Sequence, residues 1–188
     1  MEPRIKEAEQ GKRHLLFVDA SHFVLMAFLG YVWSLTRVFI PSPSGRKRYN
    51  VLGAFNAITH ELVTVTNETY INAQSVIELM FKLMAKYADL PITIVLDNAP
   101  YQRCKAVVDF ARDHEIELLF LPSYSPNLNL IERLWRFVKK ECLYSKYYEK
   151  FTYFKAAIDD CLNNISGKYR NDIASLMTLE FQMFENVS

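Results

Sequence analysis

Cysteine is scarce in this 188-residue chain, and the three present, Cys104, Cys142 and Cys161, are odd in number, lack a C-x-x-C spacing and have no histidine at zinc-ligand distance. That excludes a disulfide scaffold and a structural zinc site, and predicts a reduced, intracellular setting. Glycine and proline are also few, five and seven, so no stretch reads as a flexible linker or disordered tail. Net charge is nearly absent at +1, which neither demands nor excludes nucleic acid. The N-terminus up to Arg13 mixes charges of both signs and lacks the apolar core of a secretory signal. No internal repeat or low-complexity tract occurs.

Charge is missing altogether from the 17 residues between Asp19 and Arg37. A membrane helix needs about 20 predominantly apolar residues, and this stretch contains Ser21, His22, Ser34 and Thr36, so it is expected as buried core and no membrane partner is expected. What remains is a chain that is 51% hydrophobic and long enough for one domain spanning 1–188, with residues 1–12 as a leader and no helix-turn-helix region.

Short apolar runs ending in an acid mark two buried strands, Arg13 to Asp19 and Ile92 to Leu96 followed by Asp97. Tyr31 to Ile40, Asn50 to Ala57 and Glu61 to Thr66 predict an antiparallel meander, with turn chemistry at residues 41–45. Asn72 is placed as the cap of a helix whose apolar face carries Val76, Ile77, Met80, Phe81, Leu83, Met84 and Tyr87. Pro100 is expected in the first turn of another, with Val107, Val108, Phe110 and Ala111 inward. Glu115 to Leu121 returns as a parallel strand. Beyond a rigid Pro122–Pro126 loop, helices are expected from Asn127 or Asn129 to Glu141, from Thr152 to Asn163 and from Ile173 to Glu185. The fold class is therefore α/β, a mixed sheet flanked by helices with further helices at the C-terminus, which is the ribonuclease-H-like order.

Metal-dependent phosphodiester chemistry needs carboxylates converging where two ions, about 3.5 to 4 Å apart, can grip the attacking and leaving oxygens. Asp19 and Asp97 close strands at what would be one sheet edge, although an acid at a strand end is equally a turn residue. Glu132 borders the apolar stripe of Ile131, Leu134, Trp135 and Val138, beside Arg136 and Lys139. An i, i+4 salt bridge to Arg136 is the alternative role for Glu132. Arg46, Lys47 and Arg48, and then Arg133, Arg136, Lys139 and Lys140, form two basic clusters that suit either DNA phosphates or a solvated face. His22, Asn98 and Asn129 flank the acids as candidates to orient them; Trp135 and Trp33 are expected in the core.

The string Leu121-Pro-Ser-Tyr-Ser-Pro-Asn-Leu-Asn-Leu-Ile-Glu-Arg-Leu-Trp135 resembles the signature around the last carboxylate of DDE-superfamily transposases of the mariner-related bacterial insertion-sequence type. Leu96-Asp-Asn-Ala-Pro100 is similar to their second motif and Phe17-Val-Asp-Ala-Ser-His22 to their first, with 34 residues between Asp97 and Glu132. The resemblance implies a transposase catalytic domain that cuts and rejoins DNA, with Asp19, Asp97 and Glu132 as catalytic groups and ligands of two Mg2+ or Mn2+ ions. It also implies double-stranded DNA partners (element ends and a TA-type target), a homodimer on DNA, and an N-terminal DNA-binding region supplied separately or by frameshifting. A cytoplasmic, nucleoid-associated location goes with it. Gln102 stands where the family often has histidine, and Ser123, Asn127 and Leu130 are further departures. A non-catalytic remnant acting as a dimerising regulator, and another ribonuclease-H-like nuclease, remain the alternatives.

Overall fold

The computed structural model describes residues 1–25, 46–122 and 128–178. The strand expected at Tyr31–Ile40, the turn at 41–45 and most of the Pro122–Pro126 loop lie outside these residues, as do Trp33 with most of the uncharged stretch and the part of the expected last helix beyond Thr178. Among the described residues no helix is long and apolar enough to cross a membrane.

Eleven elements are described: helix α1 (Glu2–Glu9), strands β1 (His14–Leu25), β2 (Lys47–Asn56) and β3 (Leu62–Asn67), helix α2 (Ala73–Lys86), strand β4 (Ile92–Leu96), helix α3 (Lys105–Asp113), strand β5 (Glu117–Phe120), and helices α4 (Ile131–Leu143), α5 (Phe151–Asn163) and α6 (Arg170–Leu176). The strands form one sheet in the order β3-β2-β1-β4-β5, antiparallel on the β3-β2-β1 side and parallel on the β1-β4-β5 side. Because side chains alternate along a strand, β1 serves two cores. Leu15, Phe17 and Phe23 pack with Ile131, Leu134, Trp135 and Val138 of α4 and Phe154 and Ile158 of α5. Leu16 and Val18 face the other way, onto Val76, Leu79, Met80 and Leu83 of α2 and Val107 and Ala111 of α3.

Local chemistry explains most boundaries. Asn72 caps α2 as the sequence predicts: its side chain accepts from the Ser75 N–H, and Ser75 returns the bond to the cap backbone. Several boundaries differ from expectation. First, β1 does not stop at Asp19 but runs to Leu25, because Asp19–Leu25 pair antiparallel with Gly53–Lys47 of β2 after β4 has ended. Second, Pro100 lies within a turn, with Gln102 and Arg103 N–H groups bonded to the Ala99 carbonyl, and α3 starts only at Lys105. Third, α4 starts at Ile131, since Asn129 is used to hold the backbone of β1. Finally, α6 starts at Arg170, ahead of the expected Ile173. Residues 2–9, set apart as a leader, form α1: Ala8 is buried, and Arg4 bonds to Glu117 of β5.

Gly53 fixes how closely α4 approaches the sheet. A Cβ there would stand 2.7 Å from Trp135 Cη2, 2.9 Å from its Cζ2 and 3.1 Å from Ile131 Cδ1. A glycine inside a strand often marks such a close approach. Gly53→Ala is expected to destabilise the protein by about 1–3 kcal/mol through overpacking, read as a lower midpoint in urea.

Candidate active site

Asp19 sits inside β1 on the face that meets α4. The last paired rung of β1 with β4 is Val18 against Leu96, so Asp19 and Asp97 are the next residues of two adjacent parallel strands. Neighbouring strands lie about 4.8 Å apart, which makes the two acids neighbours by construction. Asp97 is exposed where β4 ends, whereas Asp19 is mostly enclosed beneath α4.

Glu132 comes from the first turn of α4, part-buried. Two bonds of Asn129 place that turn. Its Nδ2 donates to the Val18 carbonyl (3.4 Å), immediately before Asp19, and its own carbonyl accepts from the Glu132 N–H (3.1 Å). Asn98 holds the other side, its Nδ2 donating to the Leu121 carbonyl at 2.8 Å and tying the segment after β4 to that after β5.

The electrostatics show three acids sharing one region. Asp19 is pushed up to about 7, first by burial and then by the negative charges of Asp97 and Glu132; the Ala20 N–H opposes the rise. Glu132 is also raised, first by burial and further by Asp97, while the Arg136 charge pulls it down. Tyr101 is pushed up to about 12 by burial and by Asp97 and Asp19, so its hydroxyl stays protonated beside the acids. Among the described residues Glu132 makes no ion pair with Arg136, so the salt-bridge alternative is not the arrangement adopted.

Hard divalent cations suit carboxylate oxygens, and the donor type and the unbalanced negative charge both fit such ions. The acids are not, however, already closed into a chelate: among the described residues no group of three or more His, Cys, Asp or Glu side chains is gathered tightly enough to hold an ion. A second observation marks the region as polar and incomplete. Four buried side-chain atoms lack a hydrogen-bond partner among the described residues: Ser21 Oγ, Gln102 Oε1, Asn129 Oδ1 and Trp135 Nε1. All four residues lie within five positions of one of the three acids. Buried polar groups are normally satisfied, and exceptions call for a water, an ion or a catalytic role.

The remaining candidates are placed less uniformly. His22 stands on the opposite face of β1 from Asp19, exposed, with Nδ1 2.7 Å from Asn50 Oδ1, and this corrects its expected position beside Asp19. Arg133 Nη1 donates to the carbonyls of Leu176 (3.2 Å) and Thr178 (2.9 Å), so it ties α4 to the end of α6. Arg136 and Lys140 are exposed on α4, and Lys139 lies over the Phe23 ring, 6.0 Å from its centroid. Arg46, Lys47 and Arg48 are exposed at the start of β2. Sequence reasoning missed Tyr101, Ser21 and Gly53, and favoured Trp135 as core over base stacking. An interior strand glycine was the one available signal, pointing at a close approach without saying of what.

A family model described as DDE superfamily endonuclease matches residues 14–155. No curated protein sequence matches the chain. Among solved structures, a Mos1 transposase paired-end complex with the left transposon end matches at TM-score 0.61 and 16% identity, covering 98% of this chain and 61% of that one. The HTLV-2 integrase catalytic core domain in complex with magnesium matches at TM-score 0.53 and 14% identity, covering 81% and 85%. The catalytic core domain of BIV integrase matches at TM-score 0.54 and 14% identity, covering 84% of each chain. The mixed five-stranded sheet with its flanking helices is thus the ribonuclease-H-like fold of transposase and integrase catalytic cores, and this chain spans about three fifths of the Mos1 chain.

Proposed function

Because this chain belongs to the DDE superfamily of endonucleases, we propose that it is the catalytic domain of a DNA transposase of the mariner-related insertion-sequence type, nicking element ends and joining them to target DNA. The observation that carries this reading is the adjacency of Asp19 on β1 and Asp97 just past the end of β4, with Glu132 brought into electrostatic reach by α4.

In this reading Asp19, Asp97 and Glu132 hold two Mg2+ or Mn2+ ions, which when bound supply activation of the attacking oxygen and stabilisation of the leaving one. The protein's own groups do the rest. Packing under α4 partly shields Asp19 from bulk water, and the mutual repulsion of the acids raises the gain from binding a cation. Asn129 holds the Glu132 turn to β1 and Asn98 holds the Asp97 segment, so the acids are set by backbone anchors rather than by long side chains. Tyr101, protonated throughout the neutral range, offers a hydroxyl to a phosphate or a water. Arg136, Lys139 and Lys140 along α4, and Arg46, Lys47 and Arg48 at the start of β2, are assigned to DNA phosphates. Recognition of the element ends is assigned to a DNA-binding region, separate or joined by frameshifting, with a homodimer assembled on DNA and a TA-type target.

The basic residues of α4 divide in a testable way. Arg136→Ala is expected to lower by about one unit the slope of log affinity for duplex DNA against log salt concentration. Arg133→Ala is expected to leave that slope alone and to lower stability by about 1 kcal/mol, the worth of its carbonyl bonds.

The function is tested by incubating the protein, supplied with its DNA-binding region, with labelled element-end DNA, a TA-containing plasmid and Mg2+. Nicking followed by joined products supports a transposase. Cleavage without joining indicates another nuclease of this fold, and inhibition of an active transposase without cleavage indicates a regulatory remnant.

A further inference from the structure

Trp135 is one helical turn beyond Glu132, and the sequence gives it no role beyond packing. Its position is more specific than packing requires. The indole is 4% exposed and lies directly over Gly53, whose missing side chain is the space it fills. Gly53 is the rung partner of Asp19, so the ring sits beside that carboxylate on the α4 face of the sheet. Phe23, two residues beyond Ser21 on β1, meets the indole edge-on at 6.4 Å between centroids and 83° between planes, which restrains its rotation. Among the described residues the polar edge has no partner in hydrogen-bond geometry, although Nε1–H is the only donor the side chain has. A buried indole N–H normally finds an acceptor. The ring atoms nearest Gly53 are Cζ2 and Cη2, and Cζ2 lies on the side of the indole that carries Nε1, so the donor edge is turned toward the rung that Gly53 shares with Asp19.

We infer that Trp135 is a positioning residue for Asp19, its indole N–H completing a hydrogen bond to one carboxylate oxygen and leaving the other to face Asp97 and the ions. This rests on the metal-binding reading given above. It explains three features together: a glycine in the middle of β2, a large aromatic at the sheet surface, and an unpartnered donor inside a well-packed core. A bond of this kind fixes the rotamer of a metal ligand, and groups that orient ligands in this way are generally worth 10–100-fold in metal affinity.

The test uses 15N-labelled metal-free protein at pH 8. The chain has two indole N–H resonances, from Trp33 and Trp135, and Trp135→Phe identifies the second by deleting it. Asp19→Asn should then move the Trp135 indole proton upfield, because a neutral amide accepts a weaker bond than a carboxylate. An unmoved Trp135 resonance overturns the inference, and it does so without bearing on metal binding. In the second arm, Trp135→Phe removes the N–H together with the Cζ2 and Cη2 atoms over Gly53; it is expected to lower the melting temperature and, at a temperature where it is fully folded, to weaken Mn2+ binding about tenfold. Mn2+ affinity equal to the wild type, in a folded variant, overturns it as well. If wild-type protein binds no Mn2+ at all, the metal reading fails and the indole shift still decides the hydrogen bond.

Discussion

Replacing Asp97 with alanine is expected to lower nicking of element-end DNA by on the order of 10³-fold or more, with a melting temperature at or slightly above that of the wild type. The two outcomes separate because of where Asp97 lies. It is exposed just past the end of β4, so its loss opens no cavity, and the backbone there is held by Asn98 bonded to the Leu121 carbonyl rather than by Asp97 itself. Removing it also relieves a negative charge that raises both Asp19 and Glu132. Asn98→Ala is the useful contrast. It keeps all three carboxylates but frees the segment that carries one of them, and is expected to cost activity and stability together. Gel quantification of nicked product beside a thermal melt of each variant checks both expectations.

Asp19 leads to a larger effect of the same sign on stability. Its carboxyl titrates near 7 in the folded, metal-free protein, against about 3.9 in an unfolded chain. A folded-state pKa above the unfolded value means that the contribution is fully present below about pH 4 and is lost as pH rises through 7. Three units correspond to about 4 kcal/mol, and partial solvent access to the carboxylate brings the expected range to about 2–4 kcal/mol. Asp19→Asn removes the charge and keeps the shape. At pH 8 without divalent ions it is expected to melt roughly 5–15 °C above the wild type, with the difference disappearing below pH 4. Adding Mg2+ should narrow the gap from the other side, since an ion that binds only the folded wild type stabilises it by mass action. Melting curves over pH 4 to 8, with and without Mg2+, give the result, and equal melting temperatures at pH 8 would refute a strained carboxylate in the metal-free site. The variant should be inactive, so that stability and function are traded at one residue.

Much of this arrangement was legible before any coordinates. The run from Ile92 to Leu96 became β4 without adjustment, and Asn72 capped α2, because local chemistry decides both. The apolar stripe of α4 was also correct, since helical periodicity places Ile131, Leu134, Trp135 and Val138 on one face whatever they pack against. Boundaries set by partners were not legible. The continuation of β1 past Asp19 depends on β2, which lies across a long stretch of sequence, and the late start of α4 depends on Asn129 reaching back to Val18. His22 was misplaced for the related reason that an odd step along an uninterrupted strand reverses the face, and the strand was expected to end at Asp19. Among site residues the acids came from motif strings, whereas Tyr101, Ser21, Gly53 and the polar edge of Trp135 come from tertiary proximity alone. No local pattern distinguishes a tryptophan that fills a core from one that also offers its N–H to a neighbouring strand.

The most direct test of the account is a crystal of the protein soaked in Mn2+ and measured at the manganese absorption edge. Anomalous peaks are expected between Asp19 and Asp97 and beside Glu132, with carboxylate oxygens about 2.2 Å from the ions and the Glu132 side chain drawn toward the other two. Peaks confined to surface acids elsewhere, or a Glu132 carboxylate that stays remote while the other two are occupied, would contradict it.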